Sequence, residues 1–306
     1  MTRESAGRPA RSLPADPGLT ARMGFTMLLL AAVYAAFVTV LWAAGGGIVL
    51  IAIVVAGLAI AQYYFSDRLV LKAMGAREVT RAQEPDLVDR VERLAAQFDL
   101  PTPKVALIQT DAPNAMATGR DPSHSVLAVT TGILQRLDGP ELDAVLAHEL
   151  SHVRHRDAAV LTMAAVFATV ASFIVQIGFW LGLAGGGGGN RRGGASILVV
   201  YLASLVVWLV SFFLIRALSR YRELAADRGS AIMTGAPSQL ASALVKISGA
   251  MERIPDADLR TVEPASALML VPAISRGSLI GILSTHPSLE TRLAQLRRLE
   301  AQELSE

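Results

Sequence analysis

The chain has 306 residues, 52% of them hydrophobic and 18% charged, with a mean hydropathy of +0.45, which is too apolar for an ordinary soluble domain and points to membrane insertion. It has no cysteine, so disulfides and thiolate metal sites are excluded. A net charge of +2, with no basic block interleaved with aromatics, argues against nucleic acid as a partner.

Residues 1–22, MTRESAGRPARSLPADPGLTAR, are polar and rich in proline and arginine, and read as a disordered cytoplasmic tail. Two charge-free runs follow, GFTMLLLAAVYAAFVTVLW (24–42) and IVLIAIVVAGLAIAQYYF (48–65), each about long enough to cross a hydrocarbon core. Only AAGGG separates them, so residues 23–66 are expected to form a transmembrane hairpin. The first run is long for a signal-peptide core and a second span follows at once, which argues against cleavage. Arg3, Arg8, Arg11 and Arg22 precede the hairpin and Arg68, Lys72 and Arg77 follow it, placing both ends in the cytoplasm by the positive-inside bias.

Residues 67–157 read as a catalytic region outside the bilayer. In PDLVDRVERLAAQFDL, Leu87, Val91, Leu94 and Phe98 recur at helical spacing. KVALIQT and HSVLAVTTGIL are short β-rich runs on either side of the turn-forming DAPNAMATGRDPS, which predicts a small sheet. DGPELDAVLAHELSHVRHRD begins with an Asp-Gly-Pro start signal and continues as a helix. Two further apolar runs, 158–184 and 195–218, flank GGGGGNRRGG and predict a second hairpin over 158–218. A buried or re-entrant hairpin is the alternative for this pair, because the glycine-rich link can sit at any depth. Residues 219–306 hold SRYRELAADRGSAIMTG, a helix around PSQLASALVKISGAM and a terminal helix in PSLETRLAQLRRLEAQEL. The apolar ASALMLVPAISRGSLIGILS is interrupted by Pro272 and Arg276 and is not read as a span. The expected fold is a mainly α-helical integral membrane protein: four transmembrane helices with a cytoplasmic catalytic domain carrying a small β-sheet.

The chemistry concentrates in AHELSHVRHRD. On a helix His148 and His152 lie one turn apart on the same face and can converge on one ion, with Glu149 beside them. This is the H-E-x-x-H pattern, in which two histidines hold Zn²⁺ and the glutamate serves as general base towards water. His155, flanked by Arg154 and Arg156, reads as a polar surface or interfacial histidine. A catalytic zinc needs a third protein ligand, and Glu223 in YRELAAD is the best candidate. Asp227, four residues on, would hydrogen-bond a ligand histidine and orient it. An even number of spans between His152 and Glu223 returns both to one membrane face, as a shared ion requires. The other reading of Glu223 and Asp227, with Arg222 and Arg228, is a solvated charged face.

HELSHVRHRD, then two spans, then SRYRELAAD, then HPSLETRLAQL together resemble the HtpX-type membrane zinc metalloproteases, a group sharing a superfamily with the CAAX-prenyl endopeptidases. The resemblance runs over nearly the whole chain. It implies a zincin-like, mostly helical protease of the bacterial inner membrane, with one Zn²⁺ per subunit, a site facing the cytoplasm and a role in quality control of membrane proteins. By motif, His148, His152 and Glu223 match the family's zinc ligands and Glu149 its base. NAMATG, Asn114 to Gly119, matches an element beside the substrate cleft, where Asn114 would hydrogen-bond an extended peptide; as residues alone it is equally a turn. His286 of the late His-Pro motif, with Arg292, would donate to the oxyanion of a tetrahedral intermediate, or else cap the following helix before Pro287.

The function expected is zinc-dependent endoproteolysis of polypeptides in or emerging from the bilayer. Three other readings compete with it. A site-2-type intramembrane protease would bury its motif in a span, and DAVLAHELSHVRHRD is too charged for that. A prenyl-peptide endopeptidase fits the same residues. A scaffold with a structural zinc has no need of Glu149.

Overall fold

The computed structural model describes residues 17–44, 48–183, 191–251, 253 and 286–303. The tail read over 1–22 therefore lies mostly outside the described residues, and its last part is helical, because α1 runs from Pro17 to Ala43. The interrupted apolar stretch ending at Ser284 also lies outside them. The chain divides into two compact units, one of residues 17–66 and 159–221, the other including 67–158 and 222–306.

The first unit is built from α1, most of α2 (Ile48–Ala73), α6 (Asp157–Leu183) and the first half of α7 (Arg191–Thr234). Leu30, Tyr34 and Phe37 of α1 pack with Ala164, Val170, Ala171, Val207 and Leu218. Tyr34 donates its hydroxyl to the Ala164 carbonyl at 2.5 Å, and the Gln62 amide nitrogen donates to Thr169 at 2.9 Å. Phe25, Leu28, Trp42, Phe173 and Val206 are exposed. Among the described residues, Pro17–Ala43, Asp157–Gln176 and Leu198–Thr234 are helices long and apolar enough to cross a membrane. The second expected span corresponds to α2, whose described apolar part is Ile53–Phe65.

The second unit is a four-stranded sheet with helices. Its strands β1 (Arg77–Glu78), β2 (Lys104–Ile108), β3 (Ala115–Thr118) and β4 (Val126–Thr130) lie in the order β1-β2-β4-β3. β2 and β4 pair in parallel, with Ala106 opposite Ala128, while β3 returns antiparallel with Met116 opposite Ala128. Here the structure corrects the reading of DAPNAMATGRDPS as turn alone. Pairing with β4 makes Ala115–Thr118 a strand, because tertiary hydrogen bonding overrides the turn propensity of the flanking Asn, Pro and Gly. At the other end the β run stops at Thr130, whose hydroxyl accepts from the Ile133 N–H and starts a single helical turn, α4 (Thr131–Leu134).

The helices pack on this sheet through one core. α3 (Pro85–Gln97) contributes Leu87, Val91 and Leu94, and α5 (Gly139–His155) contributes Val145, Leu146 and Leu150. α8 (Pro237–Met251) adds Leu240, Leu244 and Ile247, and α9 (Leu289–Glu303) adds Leu296 and Leu299. α5 is started by a capping box: Asp138 accepts from the Glu141 N–H, and Glu141 accepts from the Asp138 N–H. Its other end is a break, not a continuation. Arg156 is left-handed, with φ 54° and ψ 41°, and α6 starts one residue later.

Candidate active site

α5 presents His148 and His152 on one face, as the spacing requires, with ring centroids 4.8 Å apart and planes at 85°. Their Nε2 atoms face each other at 3.2 Å. Glu223, from the second half of α7, closes the group: its Oε1 lies 3.4 Å from His152 Nε2 and its Oε2 3.7 Å from His148 Nε2. One ligand atom from each of the three lies within 4.8 Å of the others. Asp227, one turn further along α7, places Oδ1 2.9 Å from His148 Nδ1. A carboxylate at this distance favours the tautomer protonated on Nδ1, in which Nε2 is the atom available to an ion.

α5 and α7 approach closely enough for this because their contact is made of small residues. A Cβ on Gly229 would meet the Ser151 hydroxyl at 2.3 Å and its Cβ at 2.9 Å. Next to it, Ser230 donates to the Ala144 carbonyl at 2.6 Å.

Glu149 points elsewhere. It is 4% exposed, and its Oε2 accepts from the Ala117 N–H of β3 at 2.8 Å. Burial pushes the Glu149 carboxyl up from its ordinary range, against the pull of the two histidines. Thr130 N–H donates to the Asn114 carbonyl, so alternation along the ladder turns the main-chain groups of Ala115 and Ala117 away from β4. β3 is an edge strand, and Glu149 sits on its side away from β4.

Asn114 precedes β3 and is buried to 1% exposure, its N–H donating to the Thr130 hydroxyl at 2.8 Å. His286 is buried with Nδ1 3.0 Å from Glu223 Oε2. Arg292 of α9 donates twice to Asp227, at 2.8 and 2.6 Å. The ligand candidates His148, His152 and Glu223, the expected base Glu149 and Asp227 thus lie together, with His286 at the same cluster.

Two partners escaped it. Asp157 lies with Oδ2 2.6 Å from His152 Nδ1, and Arg222 donates to its Oδ1; both are buried. Arg222, expected as one element of a possible solvated face, is 4% exposed. A continuous helix would carry a residue five positions on away from His152, and only the break at Arg156 brings Asp157 back. The signal available was an aspartate at the first position of an apolar run, directly after the histidine cluster.

Around the three candidate ligands the charges of the described residues do not balance. The acidic side chains Glu149, Asp157, Glu223 and Asp227 outnumber Arg222 and Arg292, a surplus that suits a divalent cation. The histidines register the same imbalance. Burial would lower both, but Asp227 and Glu223 outweigh it at His148, and Glu223 at His152, and both are raised. Two imidazoles and a carboxylate are a donor set suited to a divalent transition metal, so the residues present fit such an ion.

Residues 81–300 match Peptidase family M48, and the chain belongs to that family. It is a membrane-bound metalloprotease, a hydrolase of peptide bonds whose family chemistry uses a divalent metal. More particularly, it is similar to "Protease HtpX homolog" of Moorella thermoacetica, 60% identical over 97% of this chain and 99% of the relative. "Protease HtpX homolog 2" of Methanosarcina acetivorans is 52% identical over 93% and 96%, and "Protease HtpX homolog 1" of Streptomyces coelicolor 48% over 94% of each. The crystal structure of S. mikatae Ste24p shares the fold, with a TM-score of 0.53 at 16% identity over 91% of this chain and 66% of that one.

Proposed function

We propose that the chain is a zinc-dependent endoprotease of the cell inner membrane that cuts damaged or misfolded membrane proteins. It crosses the bilayer four times, with its zincin-like active site in the cytoplasm. His148, His152 and Glu223 hold one Zn²⁺ per subunit through imidazole nitrogens and a carboxylate. When bound, the ion supplies Lewis-acid chemistry, acidifying a water molecule and polarising the scissile carbonyl. Glu149 takes the proton of the attacking water and delivers it to the leaving amine. The outer edge of β3 receives the substrate as an added strand, with the main-chain groups of Ala115 and the Ala117 carbonyl as its partners and Asn114 as a side-chain contact. His286 donates to the developing oxyanion.

The observation that carries this reading is the Glu149–Ala117 contact of 2.8 Å. It joins a carboxylate outside the metal-ligand group to a strand edge able to accept a peptide, a juxtaposition that proteolysis needs and a structural metal site does not. The charge pattern around the first hairpin supports the cytoplasmic orientation.

The test is metal content and casein cleavage by detergent-purified protein, with and without a chelator. Cleavage that follows zinc content supports the reading; cleavage indifferent to chelation in a zinc-free preparation overturns it.

A further inference from the structure

His148 and His152 are treated alike by their surroundings. Each turns Nε2 towards Glu223 and Nδ1 towards a buried aspartate, Asp227 at 2.9 Å for His148 and Asp157 at 2.6 Å for His152. Each aspartate is in turn gripped by a buried arginine, Arg292 for Asp227 and Arg222 for Asp157. The two arms come from different places. Asp227 is delivered by α7 and clamped from α9, whereas Asp157 is delivered by the break between α5 and α6.

That break is shaped for the purpose. Arg156 takes the left-handed conformation, at a cost for a residue that is not glycine, and so restarts the chain with Asp157 beneath His152. Arg222 also donates to the His155 carbonyl at 3.1 Å, satisfying an end of α5 that the break leaves open. Arg222 adjoins Glu223, so one short segment of α7 supplies both a candidate ligand and the counter-charge that fixes the partner of another.

We propose that Asp157, held by Arg222, is a positioning residue for His152. It keeps the proton on Nδ1 and the ring in the plane from which Nε2 reaches the ion, as Asp227 does for His148. The inference rests on the proposed metal centre. A carboxylate behind a ligand imidazole raises its basicity and fixes its tautomer, and losing one typically costs about 10–100-fold in metal affinity.

Full-length protein in detergent, stripped of metal, is titrated with Zn²⁺ against a competing chromophoric chelator, and separately with Co²⁺ by visible absorption. Asp157→Asn is expected to bind Zn²⁺ about 10–100-fold more weakly and to change the Co²⁺ spectrum, reporting a displaced imidazole. Because this variant strands the Arg222 charge, Asp157→Asn is also combined with Arg222→Gln, which removes both charges. The double variant is expected to melt closer to wild type than Asp157→Asn does when both are metal-free, and still to bind Zn²⁺ about 10–100-fold more weakly. Wild-type affinity and spectrum in Asp157→Asn would overturn the proposal. So would an affinity loss that the double variant fully recovers, since the stranded arginine would then be its cause. A wild-type protein that binds neither ion overturns the metal-centre reading instead, and the two failures are thereby told apart.

Discussion

Glu149 and Glu223 are both buried glutamates within reach of the same histidines, yet they face different partners. Glu223 faces both Nε2 atoms, while Glu149 is turned to the Ala117 N–H. Glu149→Gln keeps the shape of the side chain but cannot take a proton, so zinc is expected to remain near one per subunit while casein cleavage falls by about two to four orders of magnitude. Glu223→Ala removes a ligand candidate and is expected to deplete the metal, measured by elemental analysis, with activity lost as a result. Wild-type cleavage by Glu149→Gln, or full zinc in Glu223→Ala, would move these roles elsewhere. Four of the groups at the site were legible in the sequence: helical spacing joined His148, Glu149 and His152, and the expected even number of spans singled out Glu223. Asp157 was not, because its position depends on a single left-handed residue that no periodicity announces.

At the scale of elements, the site depends on how closely α7 lies against α5. Gly229→Ala places a methyl against Ser151, and turning the hydroxyl aside does not help, because the Ser151 Cβ is itself 2.9 Å away. The expected cost is about 1–3 kcal/mol in unfolding free energy, and Ser151→Gly in the same chain should restore most of it. Additive losses in that cycle would show that the two residues do not meet. α5 is also tied to α8: Glu141, buried in the capping box, accepts from Ser242 at 2.6 Å and pairs with Lys246 at 2.5 Å. Burial alone would raise Glu141, but Lys246 and Ser242 outweigh it and hold the carboxyl below its ordinary 4.5. A depressed carboxyl contributes stability above its unfolded pKa and loses it as pH falls through the lower folded one. Glu141→Gln is therefore expected to melt below wild type at pH 7, by about 1–2 kcal/mol, with the gap closing only below about pH 4.5. A gap that stays constant across that range would mean the charge of Glu141 contributes nothing. Helices such as α3 and α5 were readable from apolar spacing and a capping signal. β3 was not, since the four residues Ala115–Thr118 among turn formers become a strand only once β4 is beside them.

For the molecule as a whole, a surplus of buried carboxyl groups over arginines around the candidate ligands makes folding and metal binding a linked equilibrium. Zinc at about 100 times its dissociation constant should add about 2.7 kcal/mol, seen as a melting temperature that drops on chelation and returns with zinc. An unchanged melting temperature would mean that the charge imbalance is relieved some other way. The absence of cysteine makes the topology open to single-cysteine labelling without background. Cysteines placed in the N-terminal tail, at Arg120 and near the C-terminus are all expected to report the cytoplasmic side. A periplasmic C-terminus with a cytoplasmic Arg120 would remove the four-span arrangement. The outer edge of β3 bears on a different matter, the choice of victim. Partners made of N–H and C=O groups are blind to the letters of a sequence, and what they can distinguish is whether a segment's own backbone is already engaged. A chain segment locked in a helix or an intact sheet has nothing to offer such an edge, while an unravelled one has everything. On the proposed reading, the enzyme discriminates by loss of secondary structure, so unfolding a resistant protein should make a substrate of it with no change in composition.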